Sequence, residues 1–175
     1  MRLRGKVALI SGAATGIEGQ TMGFGGASAR LFVREGAKVV LADINDNQGK
    51  TTTAQICEDG GDAIFVRLDV TSAKDWIDAI RTTISQFGQL NILVNSAGNT
   101  VRTTVEETTE EVWAQQMDVH AKGTFLGTKY AIPEMQKSGG GSIVNVSSIA
   151  GLVGFSSSTA YQAAKGAIRV FTKSA

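Results

Sequence analysis

A chain of 175 residues can bury one sizeable core and is short for two. Its 42% hydrophobic and 19% charged residues describe a folded globular domain and exclude a disordered chain. A net charge of +1 with no Lys/Arg cluster argues against a nucleic-acid stripe.

The single cysteine, Cys57, excludes a disulfide framework or a Cys-rich zinc site, so a reducing, cytoplasmic setting and no metal are expected. The basic start Met1–Lys6 leads into the apolar run Val7–Ile10. That run is too short for a secretory core, and no later stretch reaches membrane-span length.

In chain order, near-continuous apolar runs predict strands at Lys6–Ile10, Lys38–Ala42, Ala63–Arg67, Leu90–Asn95 and Ser142–Val146. Between them the spacing predicts helices over about 26–35, 46–58, 72–86, 109–119 and 121–137, and from 158 onward. Ser72–Asp75 and Thr108–Glu111 read as capping boxes, and Gly36, Gly60, Gly88 and Gly139 as helix-ending glycines. Alternating strands and helices at this spacing predict an α/β fold, a Rossmann-type doubly wound parallel sheet with helices on both faces. Its ligand belongs beyond the carboxyl ends of the strands.

Chemistry-bearing residues follow the strands. After the first comes the turn Ser11-Gly12-Ala13-Ala14-Thr15-Gly16-Ile17, where backbone N–H groups can approach a pyrophosphate. Asp43, ending the second strand, can accept hydrogen bonds from an adenosine ribose. It would repel a 2′-phosphate, so NAD is expected as cofactor over NADP. Tyr161 and Lys165 stand four apart on a predicted helix and share a face. A phenol is a poor base at neutral pH, and an adjacent ammonium favours its phenolate. Tyr161 is the candidate acid/base.

Together the turn, Asp43, Asp69-Val70, Asn95-Ser96-Ala97-Gly98, Ser148 and Tyr161-Gln162-Ala163-Ala164-Lys165 resemble the short-chain dehydrogenase/reductase family, from about residue 3 to the last residue. The resemblance implies hydride transfer between NAD(H) and a small-molecule secondary alcohol or ketone. It makes Ser148 the residue that orients the reacting oxygen, with its neighbour Ser147 the competing assignment, and gives Lys165 a second role on the nicotinamide ribose. Asp69 and Val70 would flank the adenine, although Asp69 could equally cap the helix after Thr71; Asn95 would brace the sheet while Ala97 and Gly98 let the cofactor lie close. His120 falls where the family often has an asparagine that holds a relay water. A neutral imidazole can donate and accept, so either a relay role or a bystander role is open. Family habit also implies a homo-oligomer, with the helices at 121–137 and 158 onward packing across subunits.

Two departures stand out. The family turn has the form Gly-x-x-x-Gly-x-Gly; Gly12 and Gly16 match, but Glu18 occupies the third position. Gly25 is the glycine expected to open the helix, which makes residues 18–24 an insertion. Gly19, Gly23 and Gly25 repeat the same spacing inside it, so two registers compete. The expectation is weakened NAD binding, with Glu18 bringing repulsive charge. The second departure is that family members continue through further parallel strands and a substrate lid, so the single domain is expected to be incomplete at its C-terminus. The alternative to an enzyme is therefore a catalytically impaired dinucleotide fold serving as a binding or interaction module. A nucleoside-cofactor methyltransferase would share the glycine turn without needing Tyr161 and Lys165.

Overall fold

The five apolar runs form five parallel strands in the computed structural model, which describes residues 1–175: β1 (Val7–Ser11), β2 (Lys38–Asp43), β3 (Ala63–Arg67), β4 (Ile92–Asn95) and β5 (Ser142–Asn145). The order across the sheet is β3-β2-β1-β4-β5. Six α-helices connect and cover them: α1 (Phe24–Arg34), α2 (Asp46–Glu58), α3 (Ala73–Phe87), α4 (Glu110–Gln116), α5 (Gly123–Lys137) and α6 (Thr159–Ser174).

Side chains alternate across the pleat, so each strand feeds two cores. Leu9, Val40 and Leu93 point to the face covered by α3 and α5, where Trp76, Leu126 and Met135 join them. Ala8, Ile10, Val39, Leu41, Ile92 and Val94 point to the other face, against Ala29 of α1 and Ile56 of α2. Trp76 is fully buried, and its indole N–H donates to the Val70 carbonyl at 3.0 Å. A buried aromatic body with its one polar atom satisfied is strongly stabilising. At the sheet edge β5 is half-covered, with Val144 46% exposed.

Local chemistry sets the helix ends. The Ser72 and Thr109 hydroxyls accept from the backbone N–H groups of Asp75 and Val112, capping α3 and α4. Gly88 ends α3 at φ 78°, a left-handed conformation that a side chain would resist. Two boundaries differ from the sequence expectation. The helix after β1 starts at Phe24. The predicted pair 109–119 and 121–137 is one continuous helix, because residues 117–122 form a π-helical turn joining α4 to α5. That wider turn carries His120.

The strand order reverses between β2 and β4, the neighbours of β1. Ser11 closes β1 at this switch point, paired with Ala42 on one side and Asn95 on the other. Its hydroxyl accepts from the N–H groups of Ser96 (3.1 Å) and Ala97 (3.3 Å), fixing how the chain leaves β4. The crevice opens above this point.

Candidate active site

Leaving β1, Gly12 adopts φ 68° and passes close to Ala97; a Cβ here would sit 2.6 Å from the Ala97 Cα. The chain then runs through Ala13, Ala14 and Thr15 and swings outward. Residues 16–22 form a loop on the α2 side, and the chain returns at Gly23, whose N–H donates to the Thr15 carbonyl (3.0 Å) and hydroxyl (3.1 Å). Gly25 packs on the Gly12 backbone so closely that a Cβ would overlap the Gly12 carbonyl. The glycine turn is therefore assembled from two pieces, Gly12-Ala13-Ala14-Thr15 and Gly23-Phe24-Gly25.

This corrects the register. Gly16 and Ile17, expected against the cofactor, lie outside the cleft: Gly16 is packed on Thr52 and Gly26, and its N–H faces the Thr52 hydroxyl. Gly23 and Phe24 take their places. The physical reason is closure, since Thr15 and Gly23 can meet only if the intervening residues leave together. Glu18 goes with them, exposed, its N–H bound to the Gln55 side chain at 3.1 Å. It does not line the cleft.

The cleft itself has a volume of about 510 Å³. Its walls include Gly12, Ala14, Thr15, Gly23 and Phe24 on one side and Ala97 and Gly98 on the other. Asp43, Asp69 and Val70 lie at its far end. One Asp43 oxygen accepts from the Ala14 N–H (3.0 Å) and the other from the Asn45 N–H (3.0 Å), tying β2 to the turn. Asp69 accepts from the Thr71 N–H and hydroxyl, which fixes its carboxylate. The start of α1, whose Gly23 and Phe24 line the cleft, has no side-chain cap and no acid in its first turn, so no side chain competes there for its first N–H groups. Asn95 lies behind the cleft wall: buried, it donates to the Asn145 side chain (2.8 Å) and braces β4 against β5.

A second cavity of about 400 Å³ shares Phe24, Ser96, Gly98 and Asn99 with the first. Ser148, Tyr161, Lys165 and His120 all line it. The Lys165 Nζ donates to the Val146 carbonyl at 2.9 Å and lies 5.7 Å from the Tyr161 ring centre. Ser147 and Ser148 separate clearly. The Ser147 hydroxyl is spent on the Lys165 carbonyl at 2.8 Å. The Ser148 oxygen accepts from the Ala150 N–H, which leaves its own O–H to donate.

Burial pushes the Lys165 ammonium down to about 8 and, with the Lys165 charge adding to it, the His120 imidazole down to about 4. His120 is thus neutral at physiological pH. Its Nε2 lies 2.8 Å from the Asn99 carbonyl, which only accepts, so Nε2 carries the proton. Nδ1 is a buried lone pair with no protein partner, beside Gly98. The ring meets Tyr161 edge to face, centres 5.2 Å apart.

Three contributors escape a reading of the sequence. Phe24 lies inside the insertion, Asn99 acts through its backbone carbonyl, and Ser11 acts through the oxygen at a strand end. Only the glycine spacing 19-23-25 pointed to the first.

A parallel sheet with a glycine cradle at its switch point, leading into a serine–tyrosine–lysine cavity, defines a dinucleotide-fold oxidoreductase site. The chain belongs to the short-chain dehydrogenase family, whose sequence profile, described as short chain dehydrogenase, matches residues 6–175. It is 44% identical over 174 residues to 2,5-dichloro-2,5-cyclohexadiene-1,4-diol dehydrogenase LinX of Sphingobium indicum, covering 99% of this chain and 67% of that protein. It is 41% identical to cyclopentanol dehydrogenase of Comamonas sp., covering 98% and 66%. With the 3-alpha-(or 20-beta)-hydroxysteroid dehydrogenase of Mycobacterium bovis it shares 42% identity, covering 99% and 63%. A short chain dehydrogenase/reductase from Burkholderia phymatum, solved in complex with NAD, superposes with a TM-score of 0.92 at 29% identity, over 99% of this chain and 60% of that one. The chain thus spans about two thirds of the length of the curated relatives it matches. No helix is long and apolar enough to cross a membrane.

Proposed function

We propose that this chain carries the cofactor cleft and catalytic groups of an NAD-linked dehydrogenase or reductase acting on secondary alcohols or ketones borne on apolar rings. The observation that carries the reading is a pair of adjoining cavities that share Phe24, Ser96, Gly98 and Asn99, one lined by the phosphate cradle and the other by Ser148, Tyr161 and Lys165.

The residues present fit a dinucleotide. The uncapped start of α1 and the Gly12 and Gly23 backbones would hold the pyrophosphate, and Asp43 the adenosine ribose, where its charge disfavours a 2′-phosphate. Asp69 and Val70 would border the adenine, with Ala97 and Gly98 beneath the middle of the molecule. When bound, NAD supplies the acceptor or donor of the hydride.

The chain's own groups handle the oxygen and its proton. Ser148 donates to the reacting oxygen and steadies the charge that develops there. The Tyr161 hydroxyl gives a proton to that oxygen in reduction and takes one from it in oxidation. The buried Lys165 ammonium lies 5.7 Å from the centre of the Tyr161 ring and would meet the ribose of the nicotinamide half. His120 serves as a positioning residue: its N–H is committed to Asn99, so it can accept at Nδ1 from a bound water but cannot pass a proton both ways.

The ring preference draws on the alcohols in the relatives' names and on exposed apolar residues after Ser148: Ile149, Leu152, Val153 and Phe155. Assembly through α5 and α6 belongs to the same reading, since Phe125 and Val170 leave apolar surface there. The interaction-module alternative loses the support it drew from Glu18, which does not line the cleft.

An NADH-absorbance assay with cyclopentanol, cyclohexanol and their ketones tests the reading. Tyr161→Phe should lower kcat by about 10²–10⁴ while NAD affinity stays the same. Equal rates for the two proteins would remove the catalytic assignment.

A further inference from the structure

The cradle needs Thr15 and Gly23 side by side although seven residues separate them, and something must keep those seven from pulling the ends apart. The only long polar side chain buried beneath the loop is Arg30, on α1, with its side chain 7% exposed. Its Nε donates to the Gly16 carbonyl at 2.6 Å. One terminal nitrogen donates to the Gln55 side-chain oxygen at 2.6 Å, the other to Asp59 at 3.1 Å. That same Gln55 oxygen accepts from the Glu18 N–H, so one amide of α2 receives both Arg30 and the loop. Thr52, a turn earlier on α2, completes the seam: its hydroxyl donates to the Ala14 carbonyl at 2.5 Å and accepts from the Gly16 N–H at 3.3 Å.

These contacts are directional. A guanidinium fork meets three acceptors in fixed geometry, which a flexible ammonium cannot reproduce. The Gly16 carbonyl is buried, so losing Arg30 would leave an unmet acceptor under the loop. The loop would relax outward, and Thr15 and Gly23 would part.

We propose that Arg30 is the positioning residue of the phosphate cradle: by gripping the Gly16 carbonyl against α2 it holds loop 16–22 aside, so that Gly12–Thr15 and Gly23–Gly25 act as one turn. This rests on the NAD reading above, but its first consequence does not. Arg30→Ala should free the loop, and cleavage after Glu18 by a glutamate-specific protease, followed by mass spectrometry, reads that without any cofactor.

The second consequence concerns binding. Arg30→Ala should weaken NAD binding roughly tenfold, the factor one unmet buried acceptor is worth, and Arg30→Lys should fall between. At saturating NAD kcat should stay near that of the parent, because Arg30 touches nothing in the Tyr161 cavity.

A deletion separates positioning from a general loss of stability. The Thr15 carbonyl oxygen and Gly23 nitrogen are 3.0 Å apart, so a local shift of the backbone that brings the Thr15 carbonyl carbon to the Gly23 nitrogen can close the chain when 16–22 are removed. The deleted protein should bind NAD like the parent, and Arg30→Ala in that background should change affinity less than twofold. An equal loss in both backgrounds, unchanged cleavage after Glu18, or a deletion protein that no longer binds NAD would each overturn the proposal. If the parent itself fails to bind NAD while Arg30→Ala still speeds cleavage after Glu18, the clamp stands and the cofactor reading falls.

Discussion

Gly98→Ala offers the sharpest test of how the two cavities are joined. Gly98 is not in the left-handed region, so its backbone accepts alanine and any cost is steric. A Cβ at Gly98 would fall inside the His120 imidazole, against Cε1 and 2.9 Å from Nδ1. The ring has little room to retreat: it is 1% exposed, bound to the Asn99 carbonyl at 2.8 Å and backed by the Tyr161 ring. Forcing a methyl into such a site costs roughly 1–3 kcal/mol. In a domain of this size each kcal/mol moves Tm by roughly 2–4 °C.

The imidazole ring is the obstacle, so removing the ring should remove the cost. His120→Ala will be destabilised on its own account, yet Gly98→Ala added to it should cost little further. Thermal unfolding of the four proteins forms a double-mutant cycle with an expected coupling of about 1 kcal/mol or more. Additive losses would refute the argument, because they would mean that Gly98 is required for some reason other than the imidazole. The same cycle in the NADH assay should show Gly98→Ala lowering turnover by displacing Tyr161.

Two more outcomes follow from the site electrostatics. His120 sits near 4 when folded against an ordinary 6.5, so between those values the unfolded chain binds more protons and stability falls as pH drops through that window. Lys165, near 8 against 10.5, works the same way, with stability rising between those values as its buried charge is released. Tm followed from pH 4 to 7 should lose its steepest part in His120→Asn; parallel curves would count against a buried neutral imidazole. At the far end of the cleft, Asp43→Asn should raise NADPH use relative to NADH, read as a ratio of kcat/KM values, since the charge facing a 2′-phosphate is gone. An unchanged ratio would place cofactor choice elsewhere.

Much of the fold was legible in the chain because its signals are local. Continuous apolar runs mark strands covered on both faces, Ser72 and Thr109 cap helices within a few residues, and Gly88 ends one by its own conformation. Tyr161 and Lys165 were legible for the same reason, since four residues on a helix fix a shared face. The site's remaining parts depend on distances between segments far apart in sequence. A glycine turn can be satisfied by any glycine at the right spacing, so residues 12–25 by themselves permit two registers; the fold takes neither whole and splices the start of one to the end of the other, with Thr15 meeting Gly23 while Arg30 and Gln55 hold the loop away. The π-helical turn at 117–122 shifts the helix by one residue and carries His120 into the core, an offset that leaves no trace in the hydrophobic period. Which carbonyl then claims its proton was decided by Asn99, a backbone partner that has no residue type to recognise.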